Sequence, residues 1–232
     1  MKIWLFAAFL ILWGNLLHPL IGASAVLPGG SWQFVVAGAV LVVISLAVAG
    51  VLRLQAESLG LRRAGALRGA AIGAIVGGLI AAAGVAVLRF VVPAIFGQPI
   101  VYEPLSRVAP GDLTPHIAFF LPFGAVIPEE VAFRGTLLGG LLARYGVRFA
   151  VTASATTFAL WHGTVAVFTV MNTTMPVVLI IPAIAGALVI LFLGGAIVAS
   201  LRVATGTLLA SIAAHWAFNA IILVGLRYPR ID

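Results

Sequence analysis

Apolar stretches long enough to cross a bilayer recur along the whole chain, and nothing else constrains its fold as much. They run from Lys2 to about Ile21, Trp32 to about Leu52, Gly69 to Phe96, His116 to Tyr145, Arg148 to Val170, Pro176 to Leu201 and Thr207 to Leu226. A helix needs about 20 apolar residues to cover a hydrocarbon core of about 30 Å. With 63% hydrophobic and 8% charged residues, the chain carries far more apolar surface than a soluble domain of 232 residues needs. The pattern predicts an all-α polytopic membrane protein with about seven transmembrane helices. A β-barrel would alternate in short segments of about ten residues, a pattern the sequence lacks. No soluble domain and no long linker interrupts the runs.

Charge follows topology. The formal net charge is +7, yet most of the basic residues lie in the gaps between runs. Orientation and anionic headgroups explain them, and nucleic acid is not an expected partner. Lys2, Arg53, Arg62, Arg63, Arg68, Arg144, Arg148 and Arg202 fall on one side, while Arg107, Arg227 and Arg230 fall on the other. The positive-inside rule then puts the amino terminus in the cytoplasm of a multi-pass cell-membrane protein. Ala23-Ser24-Ala25 resembles a signal-peptidase site, but the run before it is longer than a usual signal core, which argues against cleavage. Leu27-Pro28-Gly29-Gly30-Ser31 reads as a turn. With no cysteine, disulfides, a thiol nucleophile and thiolate metal ligands are excluded. Gly69, Gly73 and Gly77 repeat every four residues and predict a smooth face for close helix contact. Gly135 and Gly139 read the same way.

Against this background Pro128-Glu129-Glu130-Val131-Ala132-Phe133-Arg134 stands out. An ionised side chain at a bilayer centre costs roughly 2.5–3.5 kcal/mol on the insertion scale, so such a triplet reads as functional first. Glu130 and Arg134 are spaced i, i+4 and can pair along a helix. Glu129 points about 100° away, which leaves it without the arginine and free to act as a general base. Pro128 removes the backbone bond to Gly124 and predicts a break or fresh helix start that puts Glu129 at a positive helix end and water at its level. Two further polar groups lie near mid-span: His162 in the fifth run, and His215 with Asn219 on one face of the seventh. His162 can orient the same water, and His215 with Asn219 can donate to an oxyanion. The chemistry implied is hydrolysis of a carbonyl compound by activated water. For Asn15 and His18 in the first run the expectation is interhelical hydrogen bonding or a water-exposed helix end.

Glu-Glu-x-x-x-Arg (Glu129, Glu130, Arg134), Phe-x-x-x-His (Phe158, His162) and His-x-x-x-Asn (His215, Asn219) resemble the three motifs of the CPBP family. That family includes the type II CAAX prenyl endopeptidases and the bacterial Abi, or bacteriocin-immunity, proteins. Leu59-Gly60-Leu61-Arg62 also looks like a short family signature. The resemblance implies an intramembrane endopeptidase with residues 1–115 as N-terminal helices and loops, and 116–232 as a CPBP-like catalytic core of one membrane domain. By that likeness Glu129 and His162 activate water, His215 and Asn219 hold the oxyanion, and Glu130 and Arg134 support the site. The implied substrate is a membrane-associated or lipidated peptide or protein.

Two alternatives stay open on sequence. Glu129, His162 and His215 can offer oxygen and nitrogen ligands to zinc with one position free, although the common His-Glu-x-x-His arrangement is missing. A non-catalytic immunity or scaffold protein can use the same groups to bind a partner or ion. The expected cofactor is otherwise none. The Gly-x-Gly-Asp signature of another class of intramembrane protease does not occur.

Overall fold

The structure, a computed structural model, describes residues 2–21 and 31–227. The Ala23-Ser24-Ala25 stretch, residues 27–30 of the expected turn, and Arg230 lie outside these. In hydrocarbon each backbone polar group must find its partner inside the protein, and helices do this within one segment. The chain is accordingly helical: α1 (Lys2–Ile21), α2 (Trp32–Val51), α3 (Ala66–Phe96), α4 (Gly111–Leu142), α5 (Val147–Trp161), α6 (Gly163–Met171), α7 (Ile180–Thr205) and α8 (Leu208–Arg227). Among the described residues six helices are long and apolar enough to cross a membrane. It is an all-α polytopic membrane protein.

The helices run between two ends. At one, Trp4 donates its indole N–H to the Tyr145 hydroxyl at 3.2 Å, and the Leu208 N–H bonds the Gly60 carbonyl at 2.8 Å. At the other, the Glu103 N–H bonds the Asn172 carbonyl at 3.0 Å, and Arg227 Nε bonds the Val108 carbonyl at 2.9 Å. Each run of the chain starts at one end and finishes at the other.

The fifth apolar run departs from a single span. It breaks at His162, whose φ of −88° and ψ of 10° close α5 and open α6. The cause lies on another helix. The Asn15 amide donates to the Leu160 carbonyl at 2.8 Å, and its carbonyl oxygen accepts the Thr164 N–H at 2.8 Å. Backbone groups on either side of the break are thereby satisfied from α1. The pair α5–α6 still passes from Tyr145 at one end to Asn172 at the other.

The expected break at Pro128 does not occur. The dihedrals of Val126 (−59°, −56°), Ile127 (−62°, −48°) and Glu130 (−66°, −38°) are helical. Wide π-turns over Pro122–Val126 and Val131–Leu137 flank the proline instead, and α4 runs on. A wide turn absorbs the missing N–H and the ring bulk without ending the helix. Glu129 is therefore inside a helix and not at a positive helix end. Opposite Pro128 sits Gly38 of α2, where a Cβ would lie 2.7 Å from the proline Cγ.

The tightest helix pair is α3 with α8. Gly69, Gly73 and Gly77 are all buried, and Cβ atoms at Gly73 and Gly77 would overlap the Ala210 and Ala214 carbonyls. Small residues let backbones meet, which drives association where no hydrophobic force acts between helices. Gly135 and Gly139 pack against the Leu59 and Ser58 carbonyls of the loop before α3 rather than against a helix. Arg202 holds the same loop by donating to the Ser58 carbonyl. Gly73→Leu forces α3 off α8 and is expected to cost at least about 1–3 kcal/mol, the usual range for overpacking. A thermal midpoint in detergent checks it, with Gly186→Ala, where a Cβ meets nothing within 4 Å, as the neutral control.

Candidate active site

Helix α4 presents its two glutamates to different neighbours, as their angular offset requires. Glu130 turns inward and is 0% exposed. Its Oε1 accepts Arg134 Nη1 at 3.0 Å and His215 Nδ1 at 2.8 Å. Arg134, 1% exposed, also donates to the Gly195 carbonyl at 3.3 Å and lays its guanidinium 4.1 Å from the centre of the Phe158 ring. One carboxylate, one guanidinium, one imidazole and an aromatic face thus neutralise and desolvate one another in the core. A buried charge persists only when paired in this way.

Glu129 turns the other way. Its Oε2 lies 3.7 Å from His162 Nε2, with side chains 13% and 14% exposed. His162 Nδ1 sits 2.8 Å from the Phe158 carbonyl. A carbonyl only accepts, so Nδ1 carries the proton and, in the neutral ring, Nε2 turns a lone pair toward Glu129. The 3.7 Å gap exceeds hydrogen-bond length. Glu129 Oε2 is buried and makes no hydrogen bond. Two acceptors therefore face one another across this gap.

Both groups line a cavity of about 90 Å³. A water needs roughly 10–15 Å³ of such space, so the cavity can hold several. Its other walls are Trp13, Gly14, Leu17 and His18 of α1, Phe34, Gly38 and Leu41 of α2, Gly124, Ala125 and Pro128 of α4, and Trp161 with Val165 across the α5–α6 break. Phe158 ties the two halves of the constellation together: its ring centroid is 4.5 Å from that of His162 and 6.0 Å from that of His215.

The sequence-predicted residues thus separate into groups. Glu129 and His162 meet at the cavity. Glu130, Arg134 and His215 form a second group, with His215 joined to Glu130 and not among the residues that line this cavity. Asn219 is half-buried one turn beyond His215 on α8.

Residues 112–221 match the family model described as Type II CAAX prenyl endopeptidase Rce1-like. Over that segment the chain is similar to a domain of that family. The match agrees with the CPBP resemblance of the three motifs. No curated protein and no solved structure matches the chain. At the level of the family, the Rce1-like domain is that of an intramembrane endopeptidase.

The Rce1-like domain begins in α4 and ends in α8, so it holds Glu129, His162, His215 and Asn219 but excludes α1 and α2. Those two helices nevertheless supply half of the cavity wall, and Asn15 braces the turn that carries His162. Sequence reading left α1 as an N-terminal span. The available signal was Asn15, a polar side chain inside an apolar run, whose partners no local pattern names. Among the described residues no three of His, Cys, Asp and Glu group closely enough to hold a metal ion. His215 is held through Nδ1 by Glu130, which leaves its Nε2 open, and it is not among the cavity walls that Glu129 and His162 line.

Proposed function

We propose that this protein hydrolyses a peptide bond within the membrane, by water activated between Glu129 and His162. The observation that carries the reading is the pair of facing acceptors, Glu129 Oε2 and His162 Nε2, 3.7 Å apart on one cavity. Water has two hydrogens and suits such a gap: one points to the carboxylate, the other to the imidazole. The proton given to Glu129 leaves hydroxide oxygen to bond the scissile carbonyl carbon, and the carbonyl π pair moves onto oxygen. Collapse of the tetrahedral intermediate breaks the C–N bond, and the proton on Glu129 passes to the leaving nitrogen.

Glu130 and Arg134 act behind this step. Their pair fixes the α4 turn that aims Glu129, and Glu130 orients the His215 ring. His215 and Asn219 are the groups we assign to the oxyanion. With Nδ1–H given to Glu130, His215 donates from Nε2 only when protonated, and the Asn219 amide donates in any state. The substrate class we assign is a membrane-associated or lipidated peptide, and no cofactor takes part. We also place the amino terminus in the cytoplasm, on the charge distribution of the connecting segments.

The test is cleavage of an internally quenched farnesylated CAAX peptide by the protein in liposomes. We expect cleavage that survives a zinc chelator and falls about 10²–10⁴-fold in His162→Ala, the usual worth of a positioned acid–base group. Chelator-sensitive activity restored by zinc would replace this reading with a metalloprotease. Unchanged activity in His162→Ala would remove the water-activating role.

A further inference from the structure

Beyond Glu129 and His162, one more ionisable group lines the cavity, and neither the motifs nor the family-matched segment includes it. His18 projects from α1 into the same space. Its Nδ1 is buried and has no hydrogen-bond partner. Its ring leans on Phe168 of α6, with centroids 4.9 Å apart and planes tilted by 32°. The stack holds the ring without using either nitrogen. A buried ring nitrogen with no partner costs free energy that a bound ligand can recover.

Its position along the cavity follows from three contacts between α1 and the α5–α6 break. Gly14 lies against Trp161, Asn15 bonds Leu160 and Thr164, and His18 lies against Phe168. The first is level with His162. His18 is four residues further along α1, about 6 Å at 1.5 Å per residue. An extended peptide covers that in about two residues, at about 3.4 Å each. The remaining walls between the two sites are mainly apolar.

We propose that His18 is a substrate-anchoring residue, whose imidazole takes an oxygen acceptor of the bound peptide about two residues from the scissile bond. The acceptor is either a backbone carbonyl or a terminal carboxylate. The proposal rests on the hydrolytic reading above, because it takes the scissile bond to lie at Glu129 and His162. It concerns holding the peptide and not activating water, so it predicts an effect on KM and not on kcat.

The experiment compares wild type, Glu129→Gln, His18→Phe and His18→Gln in liposomes with the quenched farnesylated CAAX peptide, as free acid and as C-terminal amide. His18→Phe keeps a ring against Phe168 but removes both nitrogens, while His18→Gln restores a donor. The expected result is a KM raised roughly tenfold in His18→Phe, the worth of one lost hydrogen bond. Its kcat stays within about twofold, and His18→Gln recovers part of the loss. If the terminal carboxylate is the acceptor, the amide shows no further loss in His18→Phe. If a backbone carbonyl is, acid and amide lose equally. Wild-type KM in His18→Phe, with Glu129→Gln inactive, overturns the anchoring role and leaves the hydrolytic reading standing. Full activity in Glu129→Gln overturns both. The same peptide is also titrated by fluorescence anisotropy onto Glu129→Gln with and without His18→Phe. Equal affinities there overturn the anchoring role even if wild type does not cut the probe.

Discussion

Glu129→Gln is expected to leave a folded protein that cleaves about 10²–10⁴-fold more slowly, because an amide cannot take the proton from water. Folding should survive for a structural reason. Glu129 Oε2 makes no hydrogen bond, and His162 Nε2 lies 3.7 Å away. Replacing an ionised group in a low-dielectric setting by a neutral isostere is expected to hold or raise the thermal midpoint. Measured together, cleavage rate and midpoint should therefore move apart. A rate close to wild type would end the assignment of Glu129 as base. A midpoint that falls with the rate would mean the residue is structural.

The neighbouring glutamate should behave in the opposite way. Glu130→Ala strands the Arg134 guanidinium in a site where it is 1% exposed, and it removes the acceptor of His215 Nδ1–H. Breaking a buried pair by removing one partner typically costs about 3–5 kcal/mol. We expect a large loss of midpoint and of folded yield. The double variant Glu130→Met with Arg134→Met should recover most of that stability, since apolar residues of similar volume often replace a buried pair at little cost. Activity should stay low in the double variant, because the His215 ring loses the partner that orients it. A single variant as stable as wild type, or a double variant as unstable as the single, would show that the pair is not what holds this part of the core.

These two outcomes separate a group that does chemistry from a group that holds shape, though the two stand next to each other in the chain. That distinction was partly legible beforehand. The i, i+4 spacing of Glu130 and Arg134 and the angular offset of Glu129 are properties of any helix. Both reappear in the fold: the pair at 3.0 Å, and Glu129 turned to a cavity away from it. The glycines at 69, 73 and 77 carried their meaning in the same way. Their spacing marks one helix face, and that face is buried against α8.

Other features depended on what lies across the gap between helices. Pro128 by its own chemistry argues for a break, yet α4 takes it up in wide turns and Gly38 of α2 leaves room for its ring. His162 lies in an unbroken apolar run, yet the helix breaks there because Asn15, far away in sequence, supplies hydrogen bonds on either side. His215 pairs with Glu130 and not with Glu129, although both carboxylates sit on the same helix.

What the amino-acid sequence determined alone is therefore local and periodic: helices, because oil forbids unpaired backbone, and the side of each helix on which a residue falls. What the tertiary structure decided is how each helix is rotated and where it yields. Those choices settle which imidazole meets which carboxylate, and which first-helix side chains wall the cavity. They depend on contacts such as His215 with Glu130, 85 positions apart, and Asn15 with Thr164, 149 positions apart, and a pattern repeating every few residues holds no record of them.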